Sequence, residues 1–248
     1  MKSSAQDHDD SARQTVRFYD AEAKSYEASR YERPAGRRVD AFHKRVLREL
    51  LFEQLTPSAQ ILELGCGTGR LLGHWRASHP EIYGIDASFG MLTAAGLEWK
   101  RGRVLQGSAY RLPFADASFD AVYSILVINL LEHYRLAFQE VSRLLRPGAL
   151  FVFNVPNLQS LYFPGGLYVN LRQRTVGRNT AGFRYSHWFR QSEINSALAE
   201  AGMTPVRVAG QPPWVSWSEN AAPLHGGLVA RFMCKSLYFL ARKHARTP

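Results

Sequence analysis

The stretch Ile61-Leu62-Glu63-Leu64-Gly65-Cys66-Gly67-Thr68-Gly69-Arg70 constrains this chain more than any other. A short apolar run of strand type breaks into glycines at three alternate positions, so a buried strand is expected to end in a tight turn where backbone can approach a ligand closely. Leu71, Leu72 and Trp75 follow at helical spacing. The helix they predict would turn its first N–H groups toward that ligand. A second short strand, Glu81 to Asp86, ends in an acid 21 positions after Gly65. An acid about 20 residues beyond a glycine turn lies at the end of the neighbouring parallel strand, in reach of ribose hydroxyls. Asp86-Ala87-Ser88 also reads as the cap of a helix carrying Met91, Leu92 and Leu97, and the two roles are compatible.

The same alternation runs on. Arg103 to Gln106 predict a third strand, Asp120 to Val127 a fourth, Glu132 to Leu145 a helix and Ala149 to Val155 a fifth strand. The fourth is almost continuously apolar, as a central strand covered on both faces must be. Strands alternating with helices imply an α/β, doubly wound, Rossmann-like sheet, mostly parallel, with helices on both faces. Upstream, Pro34 opens a helix with Val39, Phe42, Val46, Leu47, Leu50 and Leu51 on one stripe, ending near Pro57. Before it, Phe18, Tyr19, Tyr26 and Tyr31 alternate with charges in a helical arm, most of them expected to pack on the domain. Residues 1–12, rich in Ser, Asp and Gln, read as a disordered lead. After Pro156 the alternation fails over residues 157–190, an insertion of the kind that covers substrates. Ser192 to Ala201 then predict a helix, Thr204 to Val208 a strand, and Ser236 to Leu240 an edge or hairpin strand.

With 248 residues and 46% hydrophobic composition, one elaborated domain has room for its own core. The expected division is 1–12 lead, 13–57 helical arm, 58–156 cofactor-binding core, 157–190 lid insertion and 191–248 the remainder of the sheet. Cys66 and Cys234 cannot form a disulfide framework, and no Cys/His spacing suits a metal, so none is expected. No signal-type leader or membrane-length apolar run is present, so a cytoplasmic chain without a transmembrane segment is expected, as monomer or homodimer. The net charge of +10 is uneven: from residue 151 on there are eleven Lys and Arg against Glu193, Glu200 and Glu219. That surface suits an anionic substrate, nucleic acid or membrane surface, or serves solubility alone.

A nicotinamide fold uses the same strand, turn and acid, but its fingerprint needs a small residue where this chain has Arg70. Glu63, just before the glycines, would repel a pyrophosphate and suits a ligand carrying an ammonium or sulfonium group. ILELGCGTGR, YGIDAS, LPFADASFDAV and LLRPGALFVFNVP together resemble the successive motifs of class I S-adenosylmethionine-dependent methyltransferases, of the methyltransferase type 11 group, from Ile61 to Pro156. The resemblance implies a seven-stranded sheet whose last strand is antiparallel. It implies S-adenosylmethionine as cofactor, leaving as S-adenosylhomocysteine, with Gly65, Cys66, Gly67 and Glu63 at its methionine part and Asp86 on the ribose. Ala87 and Met91 would pack near the adenine, while Ser108 stands where many relatives have Asp. Ala109 and the end of the fourth strand at Ser124 and Ile125 would offer backbone, Tyr26 would reach in from the arm, and Asn129 would face the substrate side.

Methyl transfer from a sulfonium is an in-line displacement, so the protein mainly aligns the partners and excludes water. A base is needed only where the acceptor must lose a proton; His133, His187, Tyr162 and Tyr185 are the candidates. The expected acceptor is an O or N of a small molecule: a natural product, a sugar, or a lipid or quinone precursor, anionic if Arg172, Arg174, Arg178 and Arg184 reach it. Transfer to tRNA or rRNA, and a non-catalytic cofactor-binding role, are the alternatives.

Overall fold

The computed structural model describes residues 4–94, 96, 103–161, 168, 171, 186–218, 221–225 and 227–245. Its frame is one sheet of eight strands: β1 (Ile61–Leu64), β2 (Ile82–Asp86), β3 (Val104–Gln106), β4 (Phe119–Ser124), β5 (Leu145–Pro156), β6 (Met203–Gln211), β7 (Leu224–His225) and β8 (Ser236–Lys243). They lie in the order β3-β2-β1-β4-β5-β8-β6-β7. The first five run parallel, and β8 runs antiparallel to both β5 and β6. The expected seven strands are thus joined by an eighth, the two-residue β7, which pairs with β6 at Ala209 and Gly210. Ser236 to Leu240 is no edge strand: β8 is paired along both sides. A short apolar run reads the same at an edge and in the middle; its continuous burial from Ser236 to Ala241 is what distinguishes it.

Strand side chains alternate between faces, and the core divides accordingly. Leu62, Val122, Phe151, Phe153 and Phe239 pack on one face against α6 (Tyr134–Leu144) and α7 (Gln191–Glu200). Ile61, Tyr123, Val152, Tyr238 and Leu240 pack on the other, against α3 (Pro34–Leu50) and α4 (Arg70–Trp75). Glu63 follows the parity of Ile61, so a carboxylic acid enters the second core, where Tyr123 donates a hydrogen bond to it at 2.9 Å. α5 (Phe89–Ala94) follows β2, and α8 (Gly227–Met233) precedes β8.

The N-terminal segment differs from expectation. Residues from Ser4 on are helical, in α1 (Ser4–Glu22), so the expected disordered lead is helix as far as it is described. Ala, Gln and Arg favour helix. α2 (Tyr26–Tyr31) completes the arm.

α3 carries one buried titratable group. His43 is fully buried, its Nδ1 2.8 Å from the Tyr238 hydroxyl, and burial pulls its pKa down to about 4. A base with a depressed pKa binds fewer protons folded than unfolded, so its neutral form is fully tolerated above the unfolded value. Stability then falls as pH drops from about 6.5 toward 4, by roughly 3 kcal/mol in all. His43→Asn, which keeps an amide group near Nδ1, is expected to flatten the dependence of Tm on pH in that window. An unchanged profile by calorimetry would show that this histidine is not the group responsible.

Candidate active site

At the C-terminal ends of β1, β2 and β4 the chain leaves a cleft. Its floor is the glycine turn. Gly65, Gly67 and Gly69 all have positive φ, at 76°, 54° and 78°, a backbone that L-residues adopt only under strain. The turn is tied to β2 because Gly65 and Cys66 N–H groups both donate to the Ile85 carbonyl, at 2.7 and 3.1 Å. Two of its glycines meet different surroundings. A Cβ at Gly65 would fall 2.3 Å from Val127 Cγ2, whereas one at Gly67 would meet only the terminal methyl of Met91, at 3.1 Å.

Asp86 faces this turn from the end of β2. Its Oδ2 accepts from Gly67 N–H and its Oδ1 from Ser88 N–H, both at 2.8 Å, so the carboxylate orients the cradle as well as entering the cleft. Burial nonetheless pushes its pKa up. The helix-cap role considered for this segment falls to Ser88, whose Oγ accepts from Met91 N–H at 3.1 Å. Glu63 lies beneath, buried; loss of hydration raises its carboxyl to about 8, against the opposing hydrogen bonds from Tyr123 and the Leu72 backbone. Ser108 accepts from Tyr110 N–H at 3.2 Å through its own hydroxyl.

The arm forms the roof. Thr15, Val16, Tyr19, Tyr26 and Tyr31 all line the cleft, with ring centroids 6.0 Å apart between Tyr19 and Tyr26 and again between Tyr26 and Tyr31. Burial raises the Tyr26 hydroxyl, which stays protonated. Three polar latches hold the arm down. Asp20 Oδ1 accepts from Ser88 Oγ at 2.6 Å and from Gly90 N–H at 2.8 Å. Thr68 donates to Glu27. Arg70, the residue that breaks the nicotinamide fingerprint, pairs with Asp40 and lies 3.9 Å over the Tyr31 ring.

Eleven of the twelve residues expected at the cofactor line this one cleft, namely Tyr26, Glu63, Gly65, Cys66, Gly67, Asp86, Ala87, Met91, Ser108, Ala109 and Ile125, and Ser124 does not. Of the expected bases, the two histidines are described, and neither is in the lining. His133 lies beside it, its ring 6.0 Å from that of Tyr110, which does line the cleft. His187 stacks with Tyr134, packs edge-on to Phe189 and faces Glu193 at 3.9 Å, away from the lining. Tyr162, Tyr185 and the four arginines of the insertion lie outside the described residues. Asn129 is turned toward Ser186, to whose Oγ it donates at 3.2 Å. Ser124 donates to the Leu64 carbonyl and locks β4 to β1. Sequence reasoning missed Asp20, Glu27 and Asp40 as latches, and Tyr110, Leu126, Val127, Leu130 and Leu131 as lining. The unusual glycine at position 90, which brings the arm's backbone close, was the one local sign of a docked segment.

Comparison with known proteins places this architecture. Residues 62–153 match the family model described as a methyltransferase domain. A malonyl-acyl carrier protein O-methyltransferase of Erwinia pyrifoliae is 34% identical over 160 residues, 63% of this chain and 59% of that protein. A demethylmenaquinone methyltransferase of Thermotoga maritima is 36% identical over 131 residues, 51% of this chain and 56% of that protein. The chain thus spans less than two thirds of the length of these curated relatives. Among solved structures, an S-adenosylmethionine-dependent methyltransferase of Thermotoga maritima superposes with a TM-score of 0.63 at 21% identity, over 92% of this chain and 99% of that one. Magnesium protoporphyrin IX methyltransferase of Synechocystis PCC 6803, solved with bound S-adenosylhomocysteine, gives 0.59 at 15% identity, over 92% and 99%. No helix among the described residues is long and apolar enough to cross a membrane. Residues 62–153 thus match the methyltransferase-domain family, and the chain has the fold of these solved methyltransferases.

Proposed function

We propose that the chain is an S-adenosylmethionine-dependent methyltransferase acting on an oxygen or nitrogen of a small-molecule acceptor. The observation that carries this reading is the convergence of glycine turn, Glu63, Asp86 and the tyrosine roof on one cleft. The cradle fits the cofactor: it is open at Gly67, where only a methyl tip faces a Cβ, and an acid stands at the far side of the turn. When bound, S-adenosylmethionine would supply an electrophilic methyl on a sulfonium.

The residues then divide the work. Gly65, Cys66 and Gly67 let backbone approach the methionine part, and Glu63 sets a negative charge against its cations. Asp86 accepts from ribose hydroxyls while its amide hydrogen bonds hold it in place. Met91, Ala87, Ser108 and Ala109 surround the adenine. Tyr19, Tyr26 and Tyr31 exclude water from the reaction. Leu126, Val127, Leu130 and Leu131 leave the acceptor side uncharged among the described residues, which favours an acceptor with an apolar body.

The relatives' names suggest one member of the acceptor panel, a malonyl thioester on acyl carrier protein, to be tried alongside simple phenols and amines. Incubation with S-adenosylmethionine labelled in its methyl group is expected to give transfer to one class, abolished by excess S-adenosylhomocysteine. Binding of the cofactor without transfer to any acceptor would leave a binding protein and remove the enzyme.

A further inference from the structure

The turn after β4 holds an anomaly that the cofactor cradle does not explain. Leu126 has φ of 64°, one of two non-glycine residues among those described with positive φ. An L-residue with a branched side chain resists that conformation, which persists only where its surroundings over-determine it. One buried side chain bonds the Leu126 backbone directly. Asn154 on β5 is 1% exposed and sits in the buried apolar run from Ala149 to Val155, where an amide is costly unless it is hydrogen-bonded. Its Oδ1 accepts from Leu126 N–H at 2.7 Å, just where β4 stops pairing with β5.

The reversal at Leu126 shapes one whole wall of the cleft. Ile125, Leu126 and Val127 all line it, and the short 3₁₀ turn Ile128–Leu130 brings Leu130 and Leu131 into the same lining. Val127 is driven so close to the glycine turn that its methyl occupies the place a Cβ of Gly65 would need. The wall also reaches the far side of the insertion, where His187 N–H donates to the Asn129 carbonyl at 2.8 Å. We infer that Asn154 is a positioning residue for the reaction: by holding Leu126 left-handed it presses Val127 onto Gly65 and sets the wall that the acceptor faces. The inference rests on the proposed methyltransferase reading, because it gives the wall an acceptor to face.

Without this bond Leu126 relaxes to an ordinary backbone conformation, Val127 withdraws from Gly65, and cradle and acceptor wall lose their register. Small misplacements of this kind cost up to about 100-fold in rate. Asn154→Ala is expected to weaken S-adenosylhomocysteine binding by about tenfold or more and to expose the Leu126 amide to hydrogen exchange. The double variant Asn154→Ala with Leu126→Gly is expected to regain most of the affinity, since glycine holds a positive φ at no steric cost. A merely structural amide would behave otherwise: Asn154→Ala would lower Tm with affinity unchanged, or the glycine would restore nothing, and either result overturns the inference. If the wild type itself binds no S-adenosylhomocysteine, the methyltransferase reading fails, and exchange at Leu126 still decides whether Asn154 holds the turn.

Discussion

Replacing Gly67 by valine is expected to abolish cofactor binding in a protein that still folds. At φ of 54° an L-residue costs about 1–2 kcal/mol, which at this chain length lowers Tm by roughly 2–8 °C. The first atom added meets only Met91 Cε, the free end of a flexible side chain, so the core is not disturbed. The branch carbons project into the cleft beside the Asp86 carboxylate, where the proposed ligand would lie. Binding of S-adenosylhomocysteine should fall more than about 100-fold, the loss expected when ligand and side chain contend for one volume. Gly65→Val is the informative contrast. Its Cβ would fall 2.3 Å from Val127 Cγ2, so that variant is expected to lose fold and binding together. If Gly67→Val bound normally, the glycine turn would not be the cradle.

The second large effect concerns charge. The Glu63 carboxyl, held up at about 8 by burial, is mostly protonated in the unliganded protein at neutral pH. An acid with a raised pKa binds more protons folded than unfolded, so its contribution to stability is complete below the unfolded value near 4.3. It is lost progressively as pH rises toward 8, by at most roughly 4–5 kcal/mol. Glu63→Gln removes that loss while an amide can still bond with the Tyr123 hydroxyl, which then accepts. The variant is therefore expected to be more stable than wild type at pH 8 and little different near pH 4. Its affinity for S-adenosylmethionine should nevertheless drop by about tenfold or more, since a charge-assisted contact contributes about 1.5–3 kcal/mol. In the wild type, binding at pH 7 should release protons, read as a dependence of the calorimetric heat on the buffer. Equal stability at pH 8 combined with unchanged affinity would remove Glu63 from the site.

Much of the fold and the cofactor side of the site is legible in the sequence because both are written in local patterns. Glycines at 65, 67 and 69 can only mark a turn, and Asp86 at the end of the next strand follows from the spacing of a strand-helix-strand unit. What escapes is carried by pairs far apart in the chain. Asp20 on Ser88, Glu27 on Thr68 and Asp40 on Arg70 leave no periodic trace, and so Tyr19 and Tyr31 read as ordinary packing residues, Tyr26 alone being expected at the cofactor. The interior place of β8 is set by pairing on both sides, which a five-residue apolar run does not encode. His133 and His187 are candidates by residue type and by their places at a helix start and after the insertion, which do not encode where a ring packs: against Tyr110 and against Tyr134.

The central claim is that the cleft beneath the tyrosine roof holds S-adenosylmethionine. Titration of the wild-type chain with S-adenosylhomocysteine in a calorimeter tests it most directly. The account predicts saturable binding at about one site per chain, with a Kd on the order of micromolar, in the range of ordinary enzyme ligands. No saturable heat up to about millimolar ligand, corresponding to less than roughly 4 kcal/mol of binding energy, would contradict it.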